Sequence, residues 1–562
     1  MHPYYYYYYY WAFHLLLLFF LWSNHIQTSH SFVAHPTSRR RRQGGGALRR
    51  MASPPQQDPP HHLVVVVGGG VSGLVAATTA AQQHNNANSN NSTAPRVVLL
   101  EAQDRVGGRV QTDVVVVNDD DDDDDDAAVF RFDRGFAVFL EEYPMSQQLL
   151  DYDALDLRPF VPGAILQTEE WGRVRIADPL RQPSSLWDAI RFPIGTLRDR
   201  IQLARLVWHV RTHSIEQLFA EDETDTETAL RNRWQLSDAM IDHFFRPFLQ
   251  GIYLCALDQQ SSRMFHFVLR MFFARGRRVS LPAHGMAAVA EQLQEQCIQA
   301  GVQVCTDTTV DAIEPQQQQQ QQPDETTALL RVSCNGGSKV YEDVSHVIVA
   351  TESPVAHRLL QPILLKEDDN DHYQHPKEQQ RQQRAIGCVY YSFRDEAPPI
   401  DEPILVLNGT GQGPVNNVCF PTVVSPHYAP AGTHLCSVTV LEEQLHAYGD
   451  DDDRLDQAVR QQLSEWFSQS NCCNSNWKLE RIYRLPNAQP AQYDGSSAAR
   501  LSTLEPTCTS FLYHATKNGA ATTIPLPPGI LVCGDHTATA SLQGALTSGV
   551  RAGEATRGAI VS

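Results

Sequence analysis

The sequence predicts an α/β fold in two parts: a Rossmann-like dinucleotide-binding domain and a discontinuous α+β domain for a substrate. Three observations carry this reading. Leu63–Val67 is an unbroken apolar run, four of its five residues β-branched, suited to a strand buried on both faces of a parallel sheet. It runs into Gly68, Gly69 and Gly70, with Gly73 three residues further, the spacing of a strand-to-helix turn that holds a pyrophosphate. The chain's 562 residues also exceed one hydrophobic core, so at least two domains are expected.

Each glycine has its own task. Gly68 permits the tight turn, Gly70 lets backbone approach the pyrophosphate, and Gly73 lets the helix lie close to the strand. Ser72 sits in the helix's first turn, where free N–H groups and the helix dipole favour phosphate. The next strand, Arg96–Leu100, ends on Glu101, placed to meet ribose hydroxyls. The gap from Gly73 to Glu101 is long for such a unit. Gln82–Pro95, rich in Asn, Ser and Gln, reads as an insertion that explains it.

Composition excludes several classes. Of the formal charge of −19, eight units come from the run Asp119–Asp126, which reads as a solvated loop with no calcium role. No basic stripe marks a nucleic-acid surface beyond residue 60. The 11 cysteines contain no C-x-x-C pair, which points to free thiols in a reducing compartment and to no metal site.

Glu101-x-x-x-Arg105-x-Gly107-Gly108-Arg109, following the first glycine motif, resembles the flavin-containing amine oxidases, whose relatives include protoporphyrinogen oxidases and phytoene desaturases. The resemblance covers about Leu63–Val561 and implies FAD, held noncovalently, in place of NAD. Adjacent glycines let backbone close on a diphosphate, and Arg105 and Arg109 can neutralise it. By the same resemblance, Gly135 in Phe132–Phe139 approaches the flavin ring and Val310 offers its backbone to the adenine. Gly534 and Asp535 meet the ribityl–phosphate portion, and Gln543 and Gly544 at the start of the last helix face the flavin's pyrimidine end. The implied function is FAD-dependent oxidation, with hydride leaving a C–H next to nitrogen or an allylic carbon. A flavin-binding protein without turnover, acting as a chaperone or isomerase, is the alternative. No catalytic acid or base is identified. His284 and His536 lie near family motifs but read as structural hydrogen-bonders.

In chain order, residues 1–60 read as a leader, with Pro54–His62 a joint to the core. Tyr4–Trp22 is apolar and aromatic, Ser29 and Ser31 suit a signal-peptidase site, and Phe32 becomes the new N-terminus. Thr37–Ser53 follows with six arginines and no acid. This resembles the bipartite leader of algae with complex plastids, a signal peptide followed by a transit peptide. A membrane anchor over residues 4–22 is the competing reading. The FAD-binding domain takes 61–140, 281–355 and 526–562, and the substrate domain takes 141–280 and 356–525. Val110–Val117 and Phe130–Phe132 form a hairpin. Ile190–Val210, Ser237–Leu249 and Ser261–Phe273 are helical; Phe244–Tyr253 and Ser261–Phe265 resemble a desaturase-like branch of the superfamily, and their aromatics read as helix packing ahead of the alternative, a substrate-cavity lining. A helix to Gln299 follows Leu281–Met286. Val302–Val310, Thr326–Val332 and Val344–Thr351 are strands, as are Cys388–Phe393, Ile404–Leu407 and His434–Leu441. Leu455–Ser468 is a helix, and the last helix runs to Ile560. A small-molecule substrate is expected and nucleic acid is not. Peripheral membrane association and oligomeric state stay open.

Overall fold

The computed structural model describes residues 63–87, 96–117, 128–135, 138–177, 192–273, 278–316, 329–364, 383–467, 476–491, 511–515 and 521–558. The leader reading, the Asp run and Phe136 lie outside these residues.

Strand β1 (Leu63–Val67) leads through the glycine turn into α1 (Val71–Ala87), and β2 (Arg96–Leu100) follows. Next come the hairpin β3 (Thr112–Val117)–β4 (Ala128–Asp133), then β5 (Phe139–Leu140), α2 (Pro144–Leu149), β6 (Leu157–Pro159), β7 (Gly163–Thr168) and β8 (Gly172–Ala177). A helical layer holds α3 (Leu197–Thr212), α4 (Ile215–Phe219), α5 (Arg246–Tyr253) and α6 (Ser262–Phe272). The chain returns through β9 (Val279–Pro282), α7 (Ala287–Gln299), β10 (Gln303–Cys305), β11 (Val310–Pro315), β12 (Leu330–Cys334) and β13 (Lys339–Val349). Beyond α8 (Ser353–Leu364) lie β14 (Gln383–Arg394), β15 (Leu405–Asn408), β16 (Val415–Cys419), β17 (Thr433–Leu441), α9 (Glu442–Tyr448), α10 (Asp452–Trp466) and β18 (Lys478–Pro490). The pair β19 (Phe511–Ala515) and β20 (Ala521–Pro525), then β21 (Ile530–Val532) and α11 (Leu542–Gly558), complete the described chain.

The first sheet runs β10-β2-β1-β13-β12-β11, with β21 also on β13. Its parallel part is β10, β2, β1, the second half of β13, and β21. The first half of β13 pairs antiparallel with β12, so one long strand joins a doubly covered sheet to a meander. Val64–Val67 and Val97–Leu100 are all buried, the burial that their β-branched run predicts. On one face α1 packs against α7 and α11. A Cβ on Gly549 would stand 2.5 Å from the Ser72 carbonyl, and one on Gly553 would stand 2.7 Å from that of Ala76. Only glycine admits α11 this close to α1.

The second sheet runs β18-β14-β17-β16-β15-β7-β8 and takes its strands from both flanks of the first. The region 141–280, read from sequence as helical, supplies β7 and β8 to it. Other boundaries also shift. α1 continues through Gln82 to Ala87, so the polar stretch starts as helix. α3 starts at Leu197, not Ile190, because Thr196 and Asp199 form a reciprocal capping box there. The single strand expected over Val302–Val310 breaks at Asp307, whose φ is +49°. The chain turns there so that Asp307 N–H can reach the Gln103 carbonyl at 2.9 Å.

Asp133 ties the two sheets together. Its carboxylate accepts from Thr112 Oγ1 at 2.6 Å, Met286 N–H at 2.9 Å and the Tyr428 hydroxyl at 2.7 Å. Tyr390 of β14 donates to its carbonyl at 3.1 Å. Burial pushes the Asp133 carboxyl above the usual range, against these three bonds. Asp133→Ala strands three buried donors at about 1–3 kcal/mol each, so an expected loss of about 3 kcal/mol or more is checked by urea denaturation. Asp133→Asn keeps the shape and one acceptor, and is expected to lose less.

Candidate functional site

The site grows from the end of β1. Gly68 N–H extends the parallel ladder to Leu100 O at 2.8 Å, and its φ of +106° turns the chain sharply. A Cβ on Gly73 would stand 2.0 Å from the Gly68 carbonyl, so α1 can start this close to β1 only with glycine there. Gly70 is different: a Cβ there would meet nothing within 4 Å. The first loop therefore presents open space at the glycine expected to face a pyrophosphate.

A second loop lies over the first. Gly107 N–H donates to Gly69 O at 2.9 Å, and Gly107 pairs with Gly70 in a parallel bridge. A Cβ on Gly108 would stand 3.2 Å from Gly70 Cα. Glu101 fixes both loops: its buried carboxylate accepts from Gly69 N–H at 2.6 Å and Gln103 N–H at 2.9 Å. Its carbonyl accepts from Thr308 N–H at 2.8 Å, which brings the 306–309 turn to the tip of β2. Val310 starts β11 just beyond that turn, with its side chain buried in the sheet core.

The two arginines separate. Arg105 pairs with Asp113 and donates to Thr112 O at 3.1 Å, inside a cluster where Asp113 also accepts from Arg134 and the Tyr483 hydroxyl. Burial disfavours the Asp113 charge, but these donors win and hold its carboxyl below the usual range. Arg109 reaches across the cradle to Asp535 at 2.5 Å and to Ala488 O at 3.0 Å. Burial disfavours that guanidinium's charge, yet Asp535 raises its pKa overall.

The last segment forms the opposite wall. Gly534 follows β21 with φ +148°, and its N–H donates to Ser548 Oγ at 3.0 Å. Ser72 turns to the neighbouring Cys533, whose thiol burial pushes up to about 12. A Cβ on Gly544 would sit 1.9 Å from Thr539 O. Gln543 accepts from Met145 N–H at 2.9 Å and so locks the start of α11 to α2. His536 is buried beneath Gly534, while the His284 ring lies 4.7 Å from that of His427, tilted 40° to it.

The structure also brings together residues that the sequence reading did not connect. Gly135 (φ +83°) lies against Leu485 and Ile386, which pair with each other across β18 and β14. Gln489 donates weakly to Ala540 O and Ile252 O, which brings α5 to the approach of α11. Tyr143 bonds the side chain of Ser541 there. β18 left no clear period in the sequence, so Leu485 and Gln489 went unmarked there.

A separate group joins His209, Glu221 and His266, whose ligand atoms lie within 4.8 Å of one another. Arg233 grips both Glu221 oxygens at 2.7 and 3.1 Å, and Trp234 donates to His266 Nε2 at 3.0 Å. One guanidinium already neutralises the one carboxylate, so the group is a charge-balanced link between helices.

The flavin containing amine oxidoreductase family profile matches residues 71–556. The chain belongs to that family. It is an FAD-dependent oxidoreductase. The fold is similar to that of a protein from Exiguobacterium sp. 255-15 provisionally named a protoporphyrinogen oxidase, at 19% identity and TM-score 0.57, over 88% of this chain and 98% of that one. It is likewise similar to an oxidoreductase from Methanosarcina mazei, at 16% identity and TM-score 0.56, over 87% and 98%. A putrescine oxidase bound to putrescine matches at 16% identity and TM-score 0.56, over 89% and 99%. No curated sequence relative matches.

The residues fit FAD. Open space at Gly70 faces the first turn of α1, two glycine loops close around it, and Arg109 supplies a cation at its rim. Gly70→Ala puts a methyl in space that the protein does not use, so folding stability should hold while FAD binding weakens at least about tenfold. Gly73→Ala collides with backbone and should lose folding itself. Thermal melts of the FAD-free protein beside FAD titrations distinguish the two outcomes.

Proposed function

We propose that the protein oxidises a C–H bond of a small-molecule substrate, either beside an amine nitrogen or at an allylic carbon. When bound, FAD supplies the hydride acceptor at its N5, and oxygen or another acceptor takes the electrons onward. The observation that carries the proposal is the cradle at Gly70, Gly107 and Gly108, closed by Arg109 and Asp535. It is built of backbone N–H groups, a helix start and one cation, the donors a diphosphate requires.

On the substrate side the chain positions and desolvates. Tyr143 and Tyr253 are buried, and burial pushes both phenols well above their ordinary range. Both therefore stay protonated and serve as hydrogen-bond donors, not bases. Tyr143 is held by Ser541 at the start of α11. The Tyr253 hydroxyl has no hydrogen-bond partner among the described residues, and supports a role in meeting a polar substrate atom.

The experiment is anaerobic titration of the purified yellow protein. Polyamines, porphyrinogens and carotenoid precursors are added in turn while the flavin absorbance is followed. Bleaching by one class and release of FAD on denaturation are expected. A folded protein that takes up no FAD, or bound flavin that none of the three classes bleaches, counts against the proposal.

We further propose that residues 1–60 direct the protein to a plastid through the secretory route. The order of an apolar run, small residues, Phe32 and an acid-free Arg-rich stretch supports this address. A fluorescent protein carrying residues 1–60 should enter the plastid of an alga with secondary plastids, and Phe32→Ala should stop it before the inner membranes. Equal import of both fusions, or uncleaved membrane retention of both, overturns the address.

A further inference from the structure

α3 has two apolar faces, and among the described residues only one is covered. Its inward face buries Asp199, Gln202, Leu206 and Val210. On the opposite side Leu197, Ile201 and Trp208 are exposed at 53%, 51% and 53%. At about 100° per residue these three fall within one narrow stripe along the axis. A solvated helix face is ordinarily polar, so the stripe calls for a partner.

The flanks state which partner. By the same geometry Arg198 and Arg205 line one side of the stripe, and Arg200 and Arg211 line the other. Arg198 donates to Gln235 Oε1 at 2.5 Å and Arg205 to Gln202 Oε1 at 2.8 Å, so neither meets a carboxylate among the described residues. The helix's one acid, Asp199, is buried and satisfied by Thr196 and Ser237. This basic surface belongs to a chain of formal charge −19.

We infer that α3 lies in the plane of an anionic lipid surface. Leu197, Ile201 and Trp208 enter the headgroup–acyl boundary, and the exposed Arg198 and Arg205 meet lipid phosphates, while Arg200 stays bonded to the Phe192 carbonyl at 2.9 Å. Trp suits that boundary, and long cationic side chains keep their heads among the phosphates while their stems cover apolar surface. A second copy of the chain is the poorer occupant, because an isologous contact would set these arginines against each other. No described helix is long and apolar enough to cross a membrane, so the contact is peripheral in kind. It stands independently of the substrate proposal.

The test uses the FAD-loaded chain starting at Pro59, since Pro59–Ser562 forms a compact unit of its own and the apolar run at 4–22 is then absent. Flotation with phosphatidylcholine vesicles, with and without phosphatidylglycerol, should show binding that needs the anionic lipid and weakens in high salt. Trp208→Ser and Arg205→Glu should each lower partition about tenfold, with flavin absorbance and melting unchanged. Binding that ignores both substitutions, or that is absent altogether, overturns the inference. So does a dimer in sedimentation that Trp208→Ser dissolves, or capture by polyglutamate with none by vesicles.

Discussion

The rest of the architecture depends on backbone lying against backbone where the two glycine loops meet. Gly107 bonds Gly69, Gly108 presses on Gly70, and Gly73 fits beneath the Gly68 carbonyl. A side chain at most of these positions would lie within contact distance of main chain, which has nowhere to move. Gly70 alone faces open space, so it marks what the crowded glycines enclose. Glu101 makes the arrangement rigid, because one buried carboxylate ends two otherwise orphaned N–H groups on both loops.

That local cradle is completed from the far end of the chain. β21 joins β13, and α11 crosses α1 through Gly549 and Gly553, which delivers Asp535 to Arg109 across 426 residues of sequence. The ion pair is only part-buried, so its contribution to stability is modest beside the helix crossing. Its value lies in placement. Arg109 is drawn over the cradle, whereas Arg105 is spent on Asp113 and the β3–β4 hairpin.

The cofactor half was legible because its requirements are local. A glycine spacing, a β-branched run and an acid at a strand tip each constrain one turn of backbone, and the strands Leu63–Val67 and Arg96–Leu100 form as read. The terminal Gly534–Asp535 and Gln543–Gly544 were named by resemblance; the first pair follows β21 and the second begins α11. The substrate half was not legible, for a different physical reason. β7 is held by β15 and β18 by β14, partners far away in sequence, and β18 is half-buried along most of its length, so no two-residue period marks it. The break at Asp307 was also invisible, since it answers to the Gln103 carbonyl and not to propensity.

This asymmetry follows from what each half must hold. A diphosphate presents the same charge and size to every member of the family, so glycine, a helix start and one arginine satisfy it repeatedly. The surroundings of α11's start depend instead on which side chains β14, β18, α2 and α5 bring together, here Ile386, Leu485, Gln489, Tyr253 and the Tyr143–Ser541 pair. Substituting one of these leaves the contacts of the glycine loops in place. The desolvated phenols illustrate the result. Burial pushes both above their ordinary range, a character that neither tyrosine's place in the sequence discloses.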